Sequence, residues 1–316
     1  VYYYINTIIH LSCFVKAHID RVAPPQYNLA VLNGDLLSSG FEKLVSRLID
    51  NMPDEAFVQE DKTMKFIEFG DNNRPTIILL HGGGLSRWSV EPLARQLQNR
   101  YHIVTPVVDG HGEDGGTPFI SIEDSAGKLI GYIDRQLGGA VYAIGGLSLG
   151  AQITAEVLAQ RPDIAEFAVL ESGLMVPIRG TSALVAPSFK LFYGLIRKRW
   201  FSKAQAKSMR LPQEMFELYY EDTKKMTKES LVNMTLSNGT YALKDSIRNT
   251  TARVLIIVGS KELGIMKKSA ALLHRSIQSS TLRIAQDMKH GELSLIRPDI
   301  YVRLLEELFE GKEKPA

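Results

Sequence analysis

One short run, Gly146-Leu147-Ser148-Leu149-Gly150, constrains this chain more than any other part of it. It follows the apolar stretch Val141-Tyr142-Ala143-Ile144-Gly145 and precedes residues 151–160, which read as a helix. Strand, G-x-S-x-G and helix in that order is the sequence form of a nucleophile elbow. The spacing has a steric cause. A serine poised to attack a carbonyl must stand on a tight, strained turn with its hydroxyl exposed. The residues two before and two after it must be small, because strand and helix backbones crowd together there. The helix behind the serine also aims free N–H groups and a positive dipole end at the place where an oxyanion would develop.

From about residue 55 the chain alternates strands and helices. Residues 56–59 and 65–70 read as short strands separated by Glu60-Asp61-Lys62. Residues 76–80 are an unbroken apolar run, the pattern of a strand buried on both faces. Further strands are expected at 102–108, 141–145, 167–170, 254–258 and 282–285. Helices are expected at 90–98, at 122–137 with Ser121 as N-cap, at 151–160 stopping before Pro162, at 267–277, and from Pro298 to Gly311. Repeated strand-then-helix units imply right-handed crossovers and a mostly parallel, doubly wound α/β sheet.

Residues 174–250 break this rhythm and hold no convincing strand. Val185, Phe189, Phe192, Ile196 and Trp200 recur at helical spacing. Pro212 opens a run with Met215, Phe216, Tyr219 and Tyr220, and Thr227 is positioned to cap another helix. The expected organisation is a core of residues 55–173 and 251–316, a helical cap at 174–250, and an N-terminal extension at 1–54. An insertion after a strand's carboxyl end lies over the ligand-binding edge of such a sheet. Arg197-Lys198-Arg199 reads as the cap's solvated surface.

The net charge of +2 over 316 residues makes no electrostatic case for a nucleic acid or membrane partner. With Cys13 as the only cysteine no intramolecular disulfide forms, which fits a reducing, cytoplasmic location. Residues 1–15 are apolar but lack a basic start, and they make a poor signal peptide. Leu11-Ser12-Cys13 hints at a lipid-attachment site, but with His10 where an aliphatic residue is wanted. The chain starts on Val, and Met52 and Met64 are alternative starts. No G-x-x-x-x-G-K-[ST] run and no G-x-G-x-x-G opening a helix is present, which argues against a nucleotide. No spacing suggests a metal site or a cofactor.

His81-Gly82-Gly83-Gly84, Asp109-Gly110-His111-Gly112, the elbow at Ser148, Gly259-Ser260-Lys261-Glu262 and His290 occur in an order that resembles the α/β-hydrolase superfamily. The likeness covers residues 55–310 and is strongest to small bacterial esterase-like members with a helical cap. The resemblance implies an α/β-hydrolase fold and a Ser-His-acid mechanism. Ser148 matches the nucleophile; a serine there, rather than aspartate, sets the chain apart from the haloalkane dehalogenase and epoxide hydrolase branches. His290, in Met288-Lys289-His290-Gly291, matches the general base. Glu262 matches the acid, usually Asp in the family, with Glu171 at the end of the preceding strand as its rival; Asp287 is expected to cap a strand end. The oxyanion hole would use the N–H groups of Gly83 and Leu149, with Gly84 nearby. Leu85, Trp88, Leu147 and Met175 join Gly84 as candidates for the pocket wall, and His81 and His111 as structural residues of the strand-end turns.

These matches imply a serine hydrolase that cleaves a carboxylic ester or related acyl bond of a small, hydrophobic substrate, without cofactor, as a monomer or homodimer. Thioesters, lactones, amides and C–C bonds use the same machinery. The alternative is a ligand receptor or signalling protein on this fold with incidental hydrolysis.

Overall fold

The computed structural model describes residues 64–311. The expected N-terminal extension, its Cys13 and the strand expected at 56–59 lie outside the described residues. Seven strands form one mixed sheet: β1 (Lys65–Phe69), β2 (Thr76–Leu80), β3 (His102–Val107), β4 (Val141–Leu147), β5 (Ala165–Glu171), β6 (Arg253–Gly259) and β7 (Ser280–Ala285). Their order is β1-β3-β2-β4-β5-β6-β7. Only β1 runs antiparallel, paired with β3 from Lys65↔Val107 to Phe69↔Ile103. This is the α/β-hydrolase fold, with its strand carboxyl ends gathered along one edge.

Ten α-helices accompany the sheet in the described residues. Those outside the β5–β6 connection are α1 (Glu91–Leu97), α2 (Ile122–Gln136), α3 (Leu149–Gln160), α8 (Gly264–Ser276), α9 (Glu292–Ile296) and α10 (Pro298–Glu310). Alternate residues of each strand face opposite layers. Ile77 and Leu79 of β2, Phe167 and Val169 of β5, and Leu255 and Ile257 of β6 share one core with Leu93 and Leu97 of α1 and Tyr301 and Leu305 of α10. The intervening Ile78, Leu80, Ala168 and Ile256 are equally buried on the other side. That double burial is why these strands read as continuous apolar runs. α8 begins three residues before its expected start, with Leu263 as an extended N-cap.

Between β5 and β6 the chain forms α4 (Thr181–Ile196), α5 (Arg199–Ser208), α6 (Phe216–Lys225) and α7 (Lys228–Thr240). Thr227 caps α7 by accepting the Ser230 N–H at 3.0 Å. The aromatic spacing that runs on to Trp200 crosses a real break: Lys198 is extended, so Trp200 falls in the first turn of α5 and stands 65% exposed. Arg199 pairs with Glu217, and Arg197 lies over the Tyr193 ring. Gln152 of α3 bridges the two ends of this helical region, donating to the Leu174 carbonyl at 2.6 Å and the Asn238 carbonyl at 3.0 Å. Among the described residues no helix is long and apolar enough to cross a membrane.

At the turn from β4 into α3 the layers approach closely. A Cβ on Gly146 would meet the backbone of Gly150. A Cβ on Gly150 would lie 2.7 Å from the carbonyl oxygens of both Leu80 and His81. Neither obstacle is a flexible side chain, so relief requires the helix to move. Gly150→Ala is therefore expected to destabilise the protein by about 1–3 kcal/mol, the usual cost of overpacking. Thermal unfolding checks this, and a melting point at or above the native one would contradict it.

Candidate active site

Ser148 stands between β4 and α3 with φ 55° and ψ −108°. A non-glycine residue in this sparsely allowed region stores strain of about 1–3 kcal/mol. The turn is held by the Ser148 N–H, which donates to the Glu171 carbonyl at 2.8 Å. Leu149 is the first residue of α3, and its N–H has no carbonyl within the helix to bond. Beside it, in register Leu80↔Gly146, β2 ends in the turn that carries Gly83 and Gly84. That turn is closed by Leu85 N–H donating to the Gly82 carbonyl at 3.1 Å, with Gly84 at φ 78°. Gly83 thus lies on the turn after β2, the strand paired with β4, and Leu149 opens the helix after Ser148.

His290 arrives on the loop after β7, which crosses the end of β6. Lys261 N–H bonds the Met288 carbonyl at 2.9 Å. His290 Nε2 lies 2.9 Å from Ser148 Oγ, and Nδ1 lies 2.9 Å from Glu262 Oε2. The tautomer that satisfies both contacts carries its proton on Nδ1, so Nε2 accepts from the serine hydroxyl. The other oxygen, Glu262 Oε1, accepts from the Gly259 N–H at 2.7 Å and the Ser172 hydroxyl at 2.8 Å. Burial alone would raise the Glu262 pKa, but His290, the Gly259 N–H and the Ser172 hydroxyl outweigh it and hold the carboxyl below its usual value. The group is therefore ionised near neutrality.

Glu171 does not reach His290. It follows Phe167 and Val169 at period two and so points into the layer beneath α9 and α10. There Oε1 accepts from the Ser294 N–H at 3.3 Å, while Oε2 has no hydrogen-bond partner. Burial pushes its pKa up to about 7, against the opposing pull of Ser294. Asp287 likewise departs from its expected strand cap. It has φ 60°, and its exposed carboxylate pairs with Lys261 at 3.0 Å.

Burial holds His81 down to about 3 and His111 to about 4, so both are neutral. His81 Nε2 accepts the Val108 N–H at 3.1 Å, and the two rings lie 5.2 Å apart. In the same turn Asp109 is fully buried and pairs with Lys128 of α2.

Of the proposed wall residues, Leu85, Trp88 and Leu147 come together. They form one apolar cluster with Leu295 of α9 and with Ala206 and Tyr219 of α5 and α6, edged by Met209, Leu211, Met215 and Phe216. Met175 is buried but lies outside that cluster, its N–H on Ser269 of α8 and its carbonyl on Leu243. Two polar contacts rim the cluster: Trp88 Nε1–H donates to Asp222 Oδ2 at 2.8 Å, and Arg210 pairs with Glu292 at 2.8 Å. Ser172, Asp222, Arg210 and Glu292 escaped the sequence reading, because none belongs to a local motif. Among the described residues no group of His, Cys, Asp and Glu is arranged to hold a metal ion.

A family model described as "Alpha/beta hydrolase family" matches residues 77–303. Comparison with curated proteins finds no match. Solved structures similar in fold include an α/β-hydrolase family protein from Desulfitobacterium hafniense, at 22% identity and TM-score 0.64, covering 77% of this chain and 99% of that one. A thermophilic esterase from Thermogutta terrifontis is 15% identical with TM-score 0.65, covering 79% and 94%. A carboxylesterase structure from Nitrososphaera gargenis is 17% identical with TM-score 0.64, covering 79% and 96%.

The Glu171 environment has a measurable signature. A carboxyl whose pKa rises from 4.5 to about 7 on folding favours the fold below the lower value and loses that contribution as pH climbs through the higher one. In denaturant titrations, the native chain is expected to lose stability relative to Glu171→Gln between those two pH values. A difference that stays constant across that window would rule out the raised carboxyl.

Proposed function

The chain belongs to the α/β-hydrolase family, and on that premise we propose that it is a serine hydrolase cleaving a carboxylic ester of a small, apolar acyl substrate. The observation that carries this reading is the unbroken hydrogen-bonded line Ser148–His290–Glu262. In the proposed reaction His290 Nε2 takes the Ser148 proton as Oγ attacks the ester carbonyl. The ionised Glu262 stabilises the imidazolium that forms without taking its proton. The N–H groups of Leu149 and Gly83 receive the oxyanion. His290 next protonates the departing alcohol oxygen. Water, deprotonated by the same imidazole, then attacks the acyl-enzyme, releasing the acid and restoring Ser148. The preference for an apolar acyl group is supported by Leu85, Trp88 and Leu147, which pack with cap residues beside the elbow.

The first test is labelling with a fluorophosphonate, read by intact mass, on the native chain and on Ser148→Ala. One adduct on the native chain and none on the variant is expected. No adduct on folded native protein would refute an activated serine. Against an aryl ester, Ser148→Ala is expected to lose at least ~10³ in kcat. Glu262→Gln is expected to lose at least ~10², while Glu171→Gln stays near the native value. A collapse confined to Glu171→Gln would transfer the acid's role to Glu171.

A further inference from the structure

The end of β5 touches the Ser148 turn, Glu262 and the residue that follows His290. The Glu171 carbonyl receives the N–H of Ser148 at 2.8 Å. One residue on, the Ser172 N–H donates to the Ile257 carbonyl of β6 at 2.9 Å. The Ser172 hydroxyl donates to Glu262 Oε1 at 2.8 Å and accepts from the Gly291 N–H at 3.4 Å. Gly291 directly follows His290, so one hydroxyl joins the carboxylate to the histidine loop.

The backbone of Ser172 is as informative as its hydroxyl. Ser172 is 3% exposed and has φ 53°, in the left-handed region where glycine would be free of penalty. A serine there bears a conformational cost that glycine would remove. What glycine lacks is the hydroxyl, and in this conformation the hydroxyl is aimed at Glu262. A glutamate is one methylene longer than the family's usual aspartate and has one more torsion to fix. With the Gly259 N–H and the Ser172 hydroxyl both on Oε1, the other oxygen is left facing His290 Nδ1.

We propose that Ser172 is a positioning residue for the hydrolytic machinery: its hydroxyl clamps Glu262 and the Gly291 N–H so that the carboxylate meets His290 in one orientation. This rests on the reading of Ser148, His290 and Glu262 given above. Ser172 touches no reacting atom. It acts through the carboxylate, and its loss lowers the rate of serine activation without altering substrate contacts.

The test is a double-mutant cycle on the fluorophosphonate labelling rate of Ser148, using Ser172→Gly, Glu262→Gln and the double variant. Glycine suits the left-handed backbone, so the substitution deletes the hydroxyl without adding strain; a cooperative thermal transition shows that the variant is folded. Ser172→Gly is expected to slow labelling about tenfold, the scale of one hydrogen bond to a charged group. Its acid limb is expected to move to higher pH, because Glu262 has lost a donor that holds its proton off. In the Glu262→Gln background the same substitution should slow labelling by less than about twofold, since the carboxylate it serves is gone. With an aryl ester, kcat is expected to fall and KM to hold. An unchanged rate and pH profile in Ser172→Gly, or full additivity in the cycle, would overturn the positioning role alone. Absence of labelling on the native chain would overturn the hydrolase reading and this inference with it.

Discussion

Close approach of bare backbone is the condition on which the rest of this structure stands. α3 can start directly over β4 only because Gly146 and Gly150 carry no side chain where three main-chain segments converge. That convergence holds Ser148 at its positive φ and sets the first N–H of α3, which has no partner within the helix, beside it. A more relaxed turn would bury the hydroxyl among strand ends. The strain is local and is offset by the surrounding sheet, in which β2, β4, β5 and β6 are apolar on both faces.

The two carboxyl groups near the site show how burial and partners set the charge of identical chemistry. Glu262 and Glu171 are both almost wholly buried. Glu262 has a hydroxyl, an N–H and an imidazole within hydrogen-bond reach, and it ionises readily. Glu171 has one long bond to Ser294 and an orphan oxygen, so it holds its proton far longer. A proton retained on Glu171 also spares Glu262 a second negative charge close by.

The sheet was largely readable in the chain, because a parallel strand covered on both faces must be written in continuous apolar residues. The elbow was readable for a similar reason: its glycines are demanded by sterics at fixed spacing. His290 and Glu262 came from motif order, and only folding shows that their side chains meet. The direction in which Glu171 points was within reach of strand parity, since Phe167, Val169 and Glu171 alternate onto one face. Ser172 was not legible at all. Nothing local marks a serine for a left-handed backbone; the crossing of β5, β6 and the histidine loop imposes it. In the cap, helical spacing was visible, but the break at Lys198 was not, because aromatic periodicity continues through it.

The two rim contacts of the helical region between β5 and β6 reach different parts of the proposed machinery. Asp222 holds Trp88, on the loop that carries Gly83, and Arg210 holds Glu292, two residues beyond His290. A displacement of α5 and α6 away from the core must release one or both. Cap position and loop order are then linked variables: whatever free energy the loops gain from a seated cap, the cap gains equally from ordered loops. A ligand that binds under the cap and a substitution that stiffens the histidine loop would push the same equilibrium in the same direction, although they act on opposite sides of Ser148.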